Sequence, residues 1–313
     1  MSRRGFARTM LAAMLAGGLA LGGCTLPGGT GGGDDGDDGG AVAGSSAVDD
    51  GRPNPTPPDD EGGAGEGGNV PDGATGDLAA EIDAIITARG GQAGAAVAQP
   101  GSAGDGGAGA PQVAGDLVAD VAWSTSKVPI AIASVRATGA ADANVNAAIT
   151  MSDNAAAEAM WASLGAPYAA AAATDAVLRD GGDPVTRTNP ERIRPEFTAF
   201  GQTQWALADQ ATFGANLTCI DGGGPVVEAM GDIAADQRYG LGTIPGARFK
   251  GGWGPDASGT YLVRQFGTIA VDGGEVGVAI AARPADGTYE SGQAMLTEIA
   301  GAVLRHMPAG GTC

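Results

Sequence analysis

At 313 residues with a formal net charge of −19, the chain has length for one or two domains, but its glycine and aspartate crowd into the early part, so one folded domain is expected. The acidic balance excludes a nucleic-acid binder, whose phosphates it would repel, and excludes adhesion to anionic lipid by charge alone. A single histidine, His306, lies near the C-terminus; it argues against a Ser-His-Asp triad and against a histidine-rich zinc site, so lysine or carboxylate chemistry is expected, with no metal and no cofactor.

Residues 1–24 read as an export signal. Arg3, Arg4 and Arg8 make a positive start, and Met10 to Leu21 is an apolar segment too short for a stable span. Leu21-Gly22-Gly23-Cys24 matches the bacterial lipobox, in which the cysteine is lipidated; this implies an exported protein on the outer face of the cell membrane, held there by a lipid anchor at Cys24. Ser2-Arg3-Arg4-Gly5-Phe6 fits a twin-arginine leader, and a Sec-type leader fits too. Residues 25–76 are Gly, Asp and Pro with almost no large apolar side chain, and are expected to form a disordered tether. Their aspartate runs lack the ligand spacing of a calcium loop and read as a solvating spacer.

The domain is expected over 77–313. Apolar positions from Leu78 to Ile86 recur at helical spacing, Ala93 to Ala98 reads as a strand, and a second strand or hairpin arm is expected near Val118 to Trp123. Ser124-Thr125-Ser126-Lys127 then sets a serine and a lysine three residues apart, on one face of a helical turn, so that the amine can reach the hydroxyl. Pro129 is tolerated only near a first turn, which places the start of the regular helix close to Val128. Taken alone, such a pair is an N-cap followed by a solvated lysine. Two more elements follow it in order: Ser152-Asp153-Asn154, in the break between helices expected at Asn144 to Ile149 and Ala155 to Leu164, and Lys250-Gly251-Gly252, ahead of a strand-like run.

Together the three elements resemble the Ser-x-x-Lys, Ser-Asp-Asn and Lys-Thr-Gly signatures of class A β-lactamases and penicillin-binding proteins, over roughly Asp77 to Met307. The third element departs from the pattern, with Gly251 where a hydroxyl residue is usual. The resemblance implies an α/β fold: an antiparallel sheet flanked by helices, with an inserted helical lobe shortened between Ser124 and Ser152. It implies Ser124 as nucleophile, Lys127 as its base, Ser152 as proton relay, Asn154 on the substrate amide, and Lys250 beside the relay serine. Gly252 would line the cleft, and the backbone amide of Trp253 would join that of Ser124 as an oxyanion hole. The partner implied is a small β-lactam or a peptidoglycan stem peptide, taken by a monomer.

In the family a loop glutamate activates the deacylating water. Here Asn189-Pro190-Glu191-Arg192-Ile193-Arg194-Pro195-Glu196 lacks the family motif, so Glu191 and Glu196 are candidate bases and equally loop ion pairs with Arg187, Arg192 and Arg194. Arg238 or Arg264 is a candidate for the cation that a substrate carboxylate would need. Gln204 to Leu217 reads as an amphipathic helix, Thr260 to Val271 and Glu275 to Ala281 as a hairpin, and Ser291 to Leu304 as a closing helix. With Cys24 lipidated, Cys219 and Cys313 remain as a disulfide pair in an oxidising compartment. Two functions are open: a serine hydrolase, and a binding module that is slowly acylated or not catalytic.

Overall fold

The computed structural model describes residues 73–101 and 109–313; the leader, Cys24 and nearly all of the tether lie outside them. Five antiparallel strands make the main sheet, in the order β2 (Gln112–Gly115), β1 (Gly91–Ala98), β7 (Gly274–Pro284), β6 (Tyr261–Val271) and β5 (Arg248–Pro255). The two-residue period of a strand sorts the side chains of β7 onto two faces. Val276, Val278, Ile280 and Ala282 share the face of Val263, to which α8 (Tyr289–Arg305) packs through Gly292. Gly277, Ala279 and Ala281 face α6 (Leu207–Ala215), and a Cβ at Gly277 would stand 2.1 Å from the Ala211 carbonyl oxygen. The small residues on that side let the α6 backbone lie directly on the sheet. Helix α1 (Gly73–Arg89) packs beside α8 and β1.

The inserted lobe is built around α2 (Lys127–Thr138), whose residues from Lys127 through Val135 are all buried. Around it lie α3 (Ala143–Thr150), α4 (Asn154–Ser163), α5 (Pro167–Asp180) and α7 (Gly223–Ala229). Helix α2 ends on Gly139 at φ 80°, and α3 is capped by Asp142, which accepts from the amides of Asn144 and Val145. The expected fold class, an antiparallel sheet flanked by helices with an inserted helical lobe, is the observed one.

Several local expectations are corrected. The arm pairing with β1 is β2, not the segment at 118–123. Instead β3 (Ala119–Val121) pairs with β4 (Gln204–Ala206) in a separate two-stranded sheet. The helix expected from Gln204 therefore begins only at Leu207, because the Leu207 amide donates to the Val118 carbonyl (2.8 Å) and the Ala122 amide to the Thr203 carbonyl (2.7 Å). Helix α1 begins at Gly73, ahead of Leu78. Cys219 and Cys313 are disulfide-bonded, 94 residues apart in sequence, and Glu275 bridges to Gly311, so the C-terminal tail is pinned to the sheet.

Candidate active site

The Ser-x-x-Lys element straddles a change of helix type. Trp123–Ser126 forms a 3-10 turn, and α2 takes over at Lys127. Trp123 holds φ at 48°, in the left-handed region that L residues avoid, and this turns the chain so that Ser124 faces outward. The neighbouring hydroxyls are committed elsewhere. Thr125 Oγ1 donates to the Ala122 carbonyl (2.5 Å) and accepts from Gln210, while Ser126 Oγ donates to the Trp123 carbonyl (2.7 Å). Ser124 is the half-buried one, and among the described residues its hydroxyl has no hydrogen-bond partner.

Edge strand β5 runs past this turn at van der Waals distance. A Cβ at Gly252 would lie 2.9 Å from both the Ala122 carbonyl oxygen and the Ser124 amide nitrogen, and one at Gly254 would lie 2.5 Å from the Trp123 indole. Only glycine permits this approach, which brings Trp253 to the cleft that Ser124 lines.

The third wall comes from the α3–α4 break. Asp153 caps α4, accepting from the Ala156 amide (2.8 Å), and Ser152 just before it sits at φ 59°. That second strained residue turns its hydroxyl toward two lysines: Lys250 Nζ donates to Ser152 Oγ at 2.9 Å, and Lys127 Nζ lies 3.3 Å from it. Lys127 also donates to the Ser152 carbonyl (2.5 Å) and to Asn154 Oδ1 (2.8 Å). Its amine is therefore held at the Ser152 and Asn154 side, with no hydrogen bond to Ser124 among the described residues. Burial lowers the Lys127 pKa to about 8, against the opposing pull of the Asp153 charge. Lys250 is 0% exposed, and burial, followed by the charge of Lys127, holds it well below the ordinary lysine value.

A cleft of about 340 Å³ opens over Ser124, walled among others by Asn154, Glu158, Arg192, Glu196 and Trp253. Of the two loop glutamates only Glu196 lines it, and Arg194 pairs with it at 3.0 Å. A hydrogen bond to its own backbone, together with Arg194, lowers its pKa. Glu191 instead accepts a hydrogen bond from the Tyr168 hydroxyl, away from the cleft. Glu158, which the sequence reading passed over, lines the cleft and pairs with Arg192 at 2.6 Å. Its signal was its spacing, four residues after Asn154 and hence on the same face of α4.

Neither arginine considered for a substrate carboxylate is available. Arg264 is buried and donates to the carbonyls of Asp120, Val121 and Trp205 and to Gln210, fastening the small sheet and α6 to β6. Arg238 donates to the carbonyls of Ile233 and Gly231, closing its own loop.

No protein-family model and no curated protein matches the chain. Solved structures do. A β-lactamase from Sphaerobacter thermophilus is 18% identical with a TM-score of 0.54, covering 74% of this chain and 96% of its own. A class A β-lactamase from Mycobacterium abscessus is 17% identical with a TM-score of 0.55, covering 73% and 98%. The TLA-1 extended-spectrum β-lactamase is 11% identical with a TM-score of 0.60, covering 75% and 99%. At these identities the likeness is one of fold: the described domain has the architecture of class A β-lactamases along nearly their whole length.

Proposed function

We propose that this chain is a serine acyl-transfer hydrolase acting on a β-lactam or a D-alanyl amide. The observation that carries the reading is that Ser124 is the one hydroxyl of its turn left unengaged and open to the cleft, while two buried lysines, one of them Lys127 of the same turn's Ser-x-x-Lys element, converge on Ser152. Lys127, neutral in a useful fraction because of its burial, takes the Ser124 proton after swinging from its Ser152 and Asn154 partners. Ser124 Oγ attacks the substrate carbonyl, and the Ser124 and Trp253 amides receive the developing oxyanion. The proton passes from Lys127 through Ser152 to the leaving nitrogen as the C–N bond breaks, leaving a Ser124 ester. Lys250 supports the relay hydroxyl, and Asn154 and Gly252 border the bound substrate.

Deacylation is slow in this proposal. The cleft carboxylates Glu196 and Glu158 are each paired to an arginine, which weakens them as bases, and Glu191 lies outside the cleft. This favours a second reading as well, in which the domain is a binding module that traps its ligand covalently. A fluorescent penicillin tests the nucleophile: the intact domain becomes labelled and Ser124→Ala does not, whereas a label mapped by mass spectrometry to any other residue refutes the assignment. Export and lipidation at Cys24 belong to the same proposal. Cys24→Ser is expected to lose membrane fractionation or keep an uncleaved leader, and wild-type fractionation of a processed mutant would overturn the anchor.

A further inference from the structure

A second cavity, of about 280 Å³, shares a single lining residue, Trp123, with the cleft over Ser124. Val121, Trp123, Ile193, Pro255, Ala257 and Leu262 make its apolar walls. An apolar cavity on the order of 150 Å³ holds a benzene, so this one has room for two fused rings. The four charged side chains that reach the lining are already paired. Arg283 donates to both Asp120 and Asp256. Arg194 donates to the Pro255 carbonyl (2.6 Å), pairs with Glu196 and lies over the Phe197 ring, 4.4 Å from its centroid. Gln202 is spent on the same loop, accepting from the Arg194 amide (2.8 Å) and donating to the Arg194 carbonyl (3.1 Å). What remains for a ligand is apolar surface and the exposed Gln204, so a charged group would be buried here without a partner.

Two of the walls are left unsatisfied by the chain itself. Ile193 is 75% exposed, a large apolar side chain that no packing within the described residues covers. Trp123 is 7% exposed, and its indole N–H is buried without a partner among the described residues. That ring is held by packing alone, with Gly254 against its six-membered ring and Phe197 edge-on at 4.9 Å. With its φ at 48° and no polar anchor, Trp123 depends on what stands beside it, and Ser124 follows directly in the chain.

We propose that this cavity binds a small, uncharged, fused-ring aromatic molecule, which covers Ile193 and backs the Trp123 ring, steadying the turn that carries Ser124. The site needs no chemistry at Ser124 and stands apart from the hydrolase reading. Indole is the probe. The chain has four tryptophans, hence four indole N–H resonances, and Trp123→Phe identifies the one at this wall. Titrating indole into the isotope-labelled full chain is expected to move the Trp123 resonance with a Kd of about 1 mM or tighter and, at saturation, to slow amide exchange across residues 119–127 by about threefold. Benzoate, a charged ring, is expected to bind at least about tenfold more weakly. Ile193→Ser and Ala257→Trp change exposed positions, so the fold is expected to be kept. The first should weaken indole by about threefold through lost apolar contact, and the second, whose ring fills the cavity, by about tenfold or more. The site is overturned if indole leaves the Trp123 resonance unmoved, if it binds Ala257→Trp as tightly as the wild type, if benzoate binds as well as indole, or if benzylpenicillin displaces it, which would put it in the cleft. Exchange across 119–127 that stays unchanged at saturation would overturn the link to Ser124.

Discussion

Asp153→Asn isolates the electrostatic control of Lys127, the proposed base. Lys127 has its pKa lowered from 10.5 to about 8 by burial, with Asp153 pulling it upward. At pH 7 a pKa of about 8 leaves about one amine in ten neutral, against about 3 in 10⁴ for an ordinary lysine, so burial raises the supply of base by about 300-fold. The acylation rate should therefore climb about tenfold per pH unit below 8 and level off above it. The same shift couples to stability. A folded pKa below the unfolded one means that stability rises with pH between about 8 and 10.5, and below about 8 the folded chain carries the full cost of a buried ammonium, about 3 kcal/mol. Asparagine at 153 preserves the cap on the Ala156 amide but removes the charge. The acid limb is then expected to move down by about half a unit, an increase of about threefold in rate at pH 6, and high salt should shrink the difference because Asp153 is exposed. Stopped-flow acylation with a chromogenic cephalosporin from pH 5 to 10 reads the limb. A limb that stays put at both low and high salt, or one centred near 10.5, would refute the argument.

Two further outcomes are expected. Intact-mass measurements should find an accumulating acyl-enzyme, with Glu196→Gln slowing its residual hydrolysis by about 10²-fold and Glu191→Gln leaving it unchanged; rapid turnover indifferent to both, and to Glu158→Gln, would show that the base lies elsewhere. Gly252→Ala should cost about 1–3 kcal/mol in thermal unfolding, because its methyl meets the backbone at 2.9 Å, and should depress acylation by shifting Ser124. Gly251→Ala, with 3.7 Å of clearance, should be close to neutral in stability, and equal effects of the two changes would contradict the close approach of β5.

The sequence by itself determined what depends on short separations and on order. The Ser124–Lys127 spacing, the break between helices at Ser152-Asp153-Asn154, the hairpin at 260–281 and the closing helix all follow from local pattern, and three motifs in family order were enough for the fold class. The tertiary structure decided everything that depends on which distant groups share a space. Lys250 meets Ser152 across 98 residues, and the burial of both lysines, which lowers their pKa values, is a property of the assembled core. Arg264 looked like a free cation in sequence because a strand pattern does not say which carbonyls will face its guanidinium; packing consumed it in joining β3, β4 and α6. Glu191 and Glu196 looked equivalent until the loop placed one on Tyr168 and the other in the cleft. Tyr239 and Tyr289, 50 residues apart, had no shared motif to reveal them. A cluster of rings from a loop, a strand edge and a helix end exists only once the sheet has brought those three backbones together, since no single segment contains enough of the cluster to leave a pattern.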